Sequence, residues 1–127
     1  MVTHRGSCLC GAVRYEITGP MRPSVACHCS QCRKSSGHYW SATQVDAGQL
    51  AISGDEALRW YRSSAQAERG FCTQCGSALF WRMDGEARVS VGSGTLDLPT
   101  GLHTAKHIFV ADKSDYYEIE DGPEQCE

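Results

Sequence analysis

The sequence predicts a mostly-β fold held by clustered cysteines, and three observations lead there. Short segments alternate apolar and polar residues: Val13, Tyr15 and Ile17 stand against Arg14, Glu16 and Thr18, the period-two pattern of a half-buried strand. Breaks containing glycine separate these segments. No window of about 11 residues carries an apolar stripe at helical spacing.

The elements follow in order. After the strand around Val13–Ile17, further strands are expected at Ser24–His28, His38–Val45, Ala57–Ser63, Ala78–Met83, Ala87–Gly92 and Lys106–Ala111. These segments are rich in the β-branched and aromatic residues that fit a pleated surface. The breaks between them are Gly19-Pro20, Gly48, Gly54-Asp55, Asp84-Gly85 and Gly92-Ser93-Gly94, where glycine and proline punctuate the chain. Ser64–Arg69 is expected to form a short helical turn. Linkers and fixed-period repeats are not evident, so the 127 residues read as a single domain.

Composition narrows the function. Leu, Ile, Val and Phe together supply 21 of 127 residues, a thin aliphatic core. The net charge is only −3, and three Trp, five Tyr and three Phe add bulk, so disorder is not expected. A pI near 5.9 argues against nucleic-acid binding, which wants a basic stripe. No apolar run reaches the roughly 20 residues of a membrane span. Met1-Val2-Thr3-His4-Arg5-Gly6 lacks the apolar stretch of a signal peptide. The expectation is a cytoplasmic protein, whose thiols stay reduced and serve as metal ligands or nucleophiles rather than disulfides.

Seven of the eight cysteines fall into three groups. Cys8-Leu9-Cys10 is C-x-C, Cys27-His28-Cys29-Ser30-Gln31-Cys32 is C-x-C-x-x-C, and Cys72-Thr73-Gln74-Cys75 is C-x-x-C. Residues i and i+2 of an extended segment share a face, so a C-x-C can aim two sulfurs at one ion. Gly11 and Gly76 stand directly after Cys10 and Cys75, where the chain must bend away. Thiolate-rich sites select zinc, or less often iron, over hard cations. A closed structural zinc takes four protein ligands and an open catalytic one takes three. Two divisions satisfy four plus three. Cys8 and Cys10 can join Cys72 and Cys75, leaving Cys27, Cys29 and Cys32; or Cys29 and Cys32 can join Cys72 and Cys75, leaving Cys8, Cys10 and Cys27. The first keeps each local group whole. Cys126 stands alone and reads as a small buried hydrophobe.

Four blocks carry a family resemblance. Gly6-Ser7-Cys8-Leu9-Cys10-Gly11-Ala12-Val13-Arg14-Tyr15 resembles the opening of the glutathione-dependent formaldehyde-activating enzyme family, which also includes centromere protein V. Cys27-His28-Cys29-Ser30-Gln31-Cys32-Arg33-Lys34-Ser35-Ser36-Gly37 is similar to its central signature. Tyr61–Ser64 and Arg69-Gly70-Phe71-Cys72-Thr73-Gln74-Cys75-Gly76-Ser77 resemble its third block. His107–Val110, Asp112-Lys113 and Tyr117-Glu118-Ile119 resemble its closing block. The resemblance implies a β-tent of packed antiparallel sheets. It implies a structural zinc on Cys8, Cys10, Cys72 and Cys75, and a second zinc on Cys27, Cys29 and Cys32. It also implies a carbon–sulfur lyase that joins glutathione and formaldehyde into S-hydroxymethylglutathione. The tail Asp121-Gly122-Pro123-Glu124-Gln125-Cys126-Glu127 departs from the family's Asp-Gly-Leu-Pro continuation.

The candidate chemistry centres on Cys27, Cys29 and Cys32, with a small-molecule thiol such as glutathione and a small aldehyde as partners. Three thiolates around Zn²⁺ leave a negative cage, which favours delivery of a nucleophile over Lewis acidity. Arg33 and Lys34 follow the triad and could meet glutathione's carboxylates, or could be solvated charges. His28 should point away from its two cysteine neighbours. His38 and His107 read as structural histidines, with proton shuttling as the alternative. Trp40, Trp60, Trp81 and Phe80 read as core or pocket wall. The rival reading from another class is a non-catalytic zinc-binding protein-interaction module, which a fourth protein ligand such as Cys126 or His28 would favour.

Overall fold

The structure is a computed structural model that describes residues 1–127. Its eleven strands are β1 Thr3–Ser7, β2 Arg14–Thr18, β3 Ser24–Cys27, β4 Trp40–Asp46, β5 Leu50–Ser53, β6 Leu58–Arg62, β7 Ala67–Cys72, β8 Ala78–Met83, β9 Arg88–Gly92, β10 Thr104–Ile108 and β11 Glu124–Gln125. One short helix, α1 Ser30–Ser36, follows β3. Strands β1-β2-β5 form a three-stranded sheet, and β11-β10-β3-β4-β9-β8-β7-β6 form an eight-stranded one. Pairing is antiparallel except at β10, which runs parallel to both β3 and β11. No helix is long and apolar enough to cross a membrane.

The two sheets close over one core. Tyr15 and Ile17 enter it from β2, Val45 from β4, Leu79 and Phe80 from β8, and Val89 and Val91 from β9. On β2 the alternation is as expected, with Arg14, Glu16 and Thr18 exposed. Tyr15 meets Phe80 edge to face with ring centroids 5.5 Å apart, and its hydroxyl bonds Thr95 Oγ1 at 2.6 Å. Its ring crosses β1 at Gly6, where a Cβ would stand 2.3 Å from the ring. Gly6 is therefore needed for space.

Two expectations need correction, and three elements are not legible in the sequence. Ser64–Arg69 is not a helical turn. Ser64 Oγ accepts the N–H groups of Gln66 and Ala67 at 3.2 and 3.1 Å, which turns the chain back, and β7 begins at Ala67 to pair with both β6 and β8. Lys106–Ala111 does not continue as strand, because Phe109 adopts φ 54° and the chain turns into a 3-10 segment. α1 is not legible in the sequence, because its only buried residue is Cys32. One apolar position makes no stripe. β1 is not legible for a similar reason: Thr3–Ser7 holds no apolar alternation and owes its order to pairing with β2, while β5 spans only four residues.

Candidate functional site

Two sulfur clusters form where the chain reverses. After β7, the Gly76 N–H returns to Cys72 O at 2.8 Å, and near the N-terminus Gly11 N–H returns to Cys8 O at 3.2 Å. Both glycines hold left-handed φ, +79° and +81°, with open space where a Cβ would stand. They are needed for the dihedral rather than for room. The sulfurs of Cys8, Cys10, Cys72 and Cys75 all lie within 4.8 Å of one another. Cys8 Sγ stands 3.6 Å from Cys10 Sγ, which is 3.8 Å from Cys72 Sγ. Backbone N–H groups of Val13 and Gln74 donate to Cys8 Sγ and Cys72 Sγ at 3.3 and 3.4 Å.

The thiols of this cluster do not titrate alike. Burial raises Cys8, but the Val13 N–H and the Cys10 and Cys72 thiols outweigh it and hold Cys8 below its ordinary value. The Ser77 hydroxyl and the backbone N–H groups of Cys10 and Ser77 draw Cys75 down to about 5. Cys10 is favoured as thiolate by the Ala12 backbone, yet desolvation and the thiols of Cys8, Cys75 and Cys72 push it up to about 11. Like charges this close resist joint ionisation. The group could hold a metal ion, whose positive charge would remove that conflict.

The second cluster joins Cys27, Cys29 and Cys32, again within 4.8 Å. Cys27 ends β3. Cys29 caps α1 and its sulfur accepts the Cys32 N–H at 3.4 Å. Cys32 lies buried in the first turn. From β7, Arg69 Nη2 donates to Cys32 Sγ at 3.5 Å and to Gln31 Oε1 at 3.4 Å. The Cys27 hydrogen bond, with help from Arg69 and against burial, draws Cys32 down to about 6. The same bond with Cys32, together with burial, pushes Cys27 far up. The seven sulfurs thus gather in the division that keeps each sequence group whole.

A cavity of about 450 Å³ opens onto the triad. Trp40, Trp81, Met83 and Phe109 supply apolar wall, and Arg22 and Arg69 the cationic groups. Arg22 is committed: it donates to Pro23 O, Ala42 O and Gln44 Oε1. Arg69 Nε is buried without a partner, and its guanidinium stands 5.8 Å from the Trp40 ring centroid. Arg33 and Lys34 extend along α1, and neither lines the cavity. Lys34 is exposed.

His28 points away from the sulfurs, as the alternation requires. It is fully buried, with Nδ1 bonded to Tyr117 OH and Nε2 to His107 Nδ1 at 2.9 Å. Burial, with His107, His38 and Lys113 nearby, lowers its imidazole to about 4. His38 is exposed, its Nδ1 3.3 Å from Tyr116 OH. Trp60 stacks on Phe80 in and beside the core, so the aromatics divide between core and cavity. Cys126 is not a buried hydrophobe: it is half-buried, and its thiol donates to Glu124 at 3.2 Å. Arg69 and Tyr117 have no site role legible in the sequence, because their partners lie 37 and 89 residues away in the chain and only folding brings them together.

The family model described as glutathione-dependent formaldehyde-activating enzyme matches residues 3–112. The chain belongs to this family. A Halomonas elongata protein that carries the family's name is 34% identical over 127 residues, covering 91% of this chain and 80% of its own. An uncharacterized lyase of Schizosaccharomyces pombe is 33% identical over 84 residues, covering 64% of this chain and 58% of its own. A crystal structure of a Rhodobacter sphaeroides protein superposes with a TM-score of 0.60 at 26% identity, covering 73% of this chain and 87% of that one. The family match spans both sulfur clusters and Arg69, and ends before Tyr117.

Proposed function

We propose that this chain is a zinc-dependent carbon–sulfur lyase that joins a thiol to a small aldehyde, glutathione and formaldehyde being the pair the family's name specifies. The observation that carries the reading is the set of three sulfurs, Cys27, Cys29 and Cys32, opening onto a cavity of about 450 Å³. The reading takes the chain as one domain working where thiols stay reduced, as in the cytoplasm.

The donor sets suit zinc. Thiolates select it over hard cations, and a tetrahedron with Zn–S bonds of about 2.3 Å has edges of about 3.8 Å, close to the 3.6 and 3.8 Å between Cys8, Cys10 and Cys72. Cys8, Cys10, Cys72 and Cys75 would close a structural ion. Cys27, Cys29 and Cys32 would hold a second, with the ligand number of a catalytic site. Zinc bound there would lower the pKa of an incoming thiol.

The chain's own residues do the rest. Arg69 lies against Cys32 and offsets sulfur charge. The apolar wall excludes water and holds the aldehyde beside the sulfur. His28, locked between Tyr117 and His107, fixes the junction between Cys27, which ends β3, and Cys29, which caps α1. In the addition the S–C bond forms as the carbonyl π bond opens. The proton lost by the thiol ends on the carbonyl oxygen, so the reaction needs no further reactant. A closed, non-catalytic module would need a fourth protein donor at the triad. His28 spends both ring nitrogens on Tyr117 and His107, and Cys126 is bonded to Glu124.

Cobalt substitution tests the reading. Glutathione should perturb the cobalt–thiolate absorption, release protons on binding, and bind more tightly as pH rises toward the thiol's own pKa. S-methylglutathione should leave the spectrum unchanged. If neither ligand changes it, the module reading replaces this one.

A further inference from the structure

We propose that the thiol this cavity selects is a short mercapto-carboxylate with an apolar body, bound in preference to glutathione, with Arg69 as the residue that reads its single carboxylate. The inference rests on the thiol-binding reading above and narrows it to a substrate class.

Charge count on the wall carries the argument. Glutathione presents two carboxylates and an α-ammonium. The wall includes no Asp or Glu to meet the ammonium. Of its two cations, Arg22 already donates to two backbone carbonyls and to Gln44. Two arginines keep a buried Nε–H without a partner, Arg33 and Arg69, and of these only Arg69 lines the cavity; a buried donor left unpaired is costly. A guanidinium is well suited to a carboxylate, which it can take in a two-pronged bond. One anchor matches one carboxylate.

Position sets the length. Arg69 Nη2 is 3.5 Å from Cys32 Sγ, so a carboxylate on Arg69 lies close to a sulfur seated at the triad. It belongs on the thiol-bearing carbon or the next one. The rest of the wall is uncharged: serines and glutamines are interspersed on it, and its large side chains are the apolar Trp40, Trp81, Met83 and Phe109. Phe109 makes an independent case. It is 49% exposed and holds φ 54°, a left-handed backbone that a bulky side chain rarely adopts. Such strain persists where the surroundings impose it, and it clusters at ligand sites. Here it sets an aromatic ring at the cavity rim without burying it, which leaves a face for a ligand to cover.

Trp40 and Trp81 report occupancy directly through fluorescence. The zinc-loaded protein would be titrated with 2-mercapto-3-phenylpropanoate, with 2-phenylethanethiol, which lacks only the carboxylate, and with glutathione. The mercapto acid should bind at least tenfold more tightly than either. In Arg69→Gln, at matched zinc content and with unchanged circular dichroism, its advantage over 2-phenylethanethiol should disappear. Arg69→Lys should restore part of it. If glutathione binds as tightly as the mercapto acid, or if Arg69→Gln keeps the preference, the inference is overturned while the thiol site stands. If no thiol alters either the fluorescence or the cobalt spectrum, the underlying reading falls with it.

Discussion

A methyl group at residue 54 would stand 1.8 Å from the carbonyl oxygen of Ala12, and Gly54 also holds φ +76°. The backbone there can neither accept a side chain nor move away, because Val13 beside it is fully buried. Gly54→Ala should therefore destabilise by about 4 kcal/mol or more, the range reserved for steric and backbone conflicts. Gly48 has open space around its Cβ position and no left-handed φ, so Gly48→Ala should lie within about 0.5 kcal/mol of the parent. Denaturant midpoints of the two variants check this. The glycines after the cysteines were legible in the sequence because they fall at fixed motif positions. Gly54 was legible only as a break, since the oxygen that excludes a side chain lies 42 residues away in the chain.

At the scale of elements, β7 serves both sulfur clusters. Its last residue, Cys72, belongs to the four-sulfur set, and Arg69, three residues earlier, reaches the triad. The β3–α1 junction supplies all three sulfurs of the other set. If the four-sulfur set binds a structural zinc, Cys72→Ala loses folding energy along with the ion. Its melting temperature should fall well below that of Cys29→Ala, which should retain the fold and lose thiol binding. Equal melting temperatures at matched zinc content would reject the assignment. On β10, burial holds the His107 imidazole below its ordinary 6.5. The neutral form is favoured in the fold, so its contribution is complete above pH 6.5 and is lost as pH falls and the unfolded chain takes the proton first. The group facing it is His28, itself held neutral. His107→Gln should flatten the acid-side loss of stability, measured by denaturation from pH 7 to 5 at constant metal content. Strand β8 was read to the residue because both of its ends carry turn signals. β7 was misread because Ala67, Glu68, Arg69 and Gly70 show no strand pattern by themselves; pairing on both sides makes them a strand.

Taken whole, the molecule joins a small core to two sulfur clusters. Cys8 and Cys72 belong to the core as well as to the four-sulfur set, so metal binding there would add to the aliphatic packing that the composition makes thin. Net charge is −3, and the basic side chains are dispersed among ion pairs at Arg5–Glu16, Arg62–Asp84, Arg82–Glu68 and Lys106–Glu124. With few clustered cations to release counterions, affinity for duplex DNA should be weak at physiological salt. A fluorescence-anisotropy titration checks this, and tight binding that falls steeply with added salt would contradict it.

The sequence by itself determined the β character, through period-two alternation and glycine breaks, and the sulfur inventory, through the spacing of seven cysteines. It also determined that His28 faces away from Cys27 and Cys29, because alternation on an extended chain is local geometry. The tertiary structure decided what depends on distant segments meeting. It chose between the two divisions of the sulfurs, brought Arg69 to Cys32, bonded His28 to Tyr117 and His107, and left Arg33 and Lys34 outside the cavity wall. A local pattern records which way a side chain points within its own few residues; only the packed chain fixes what it meets.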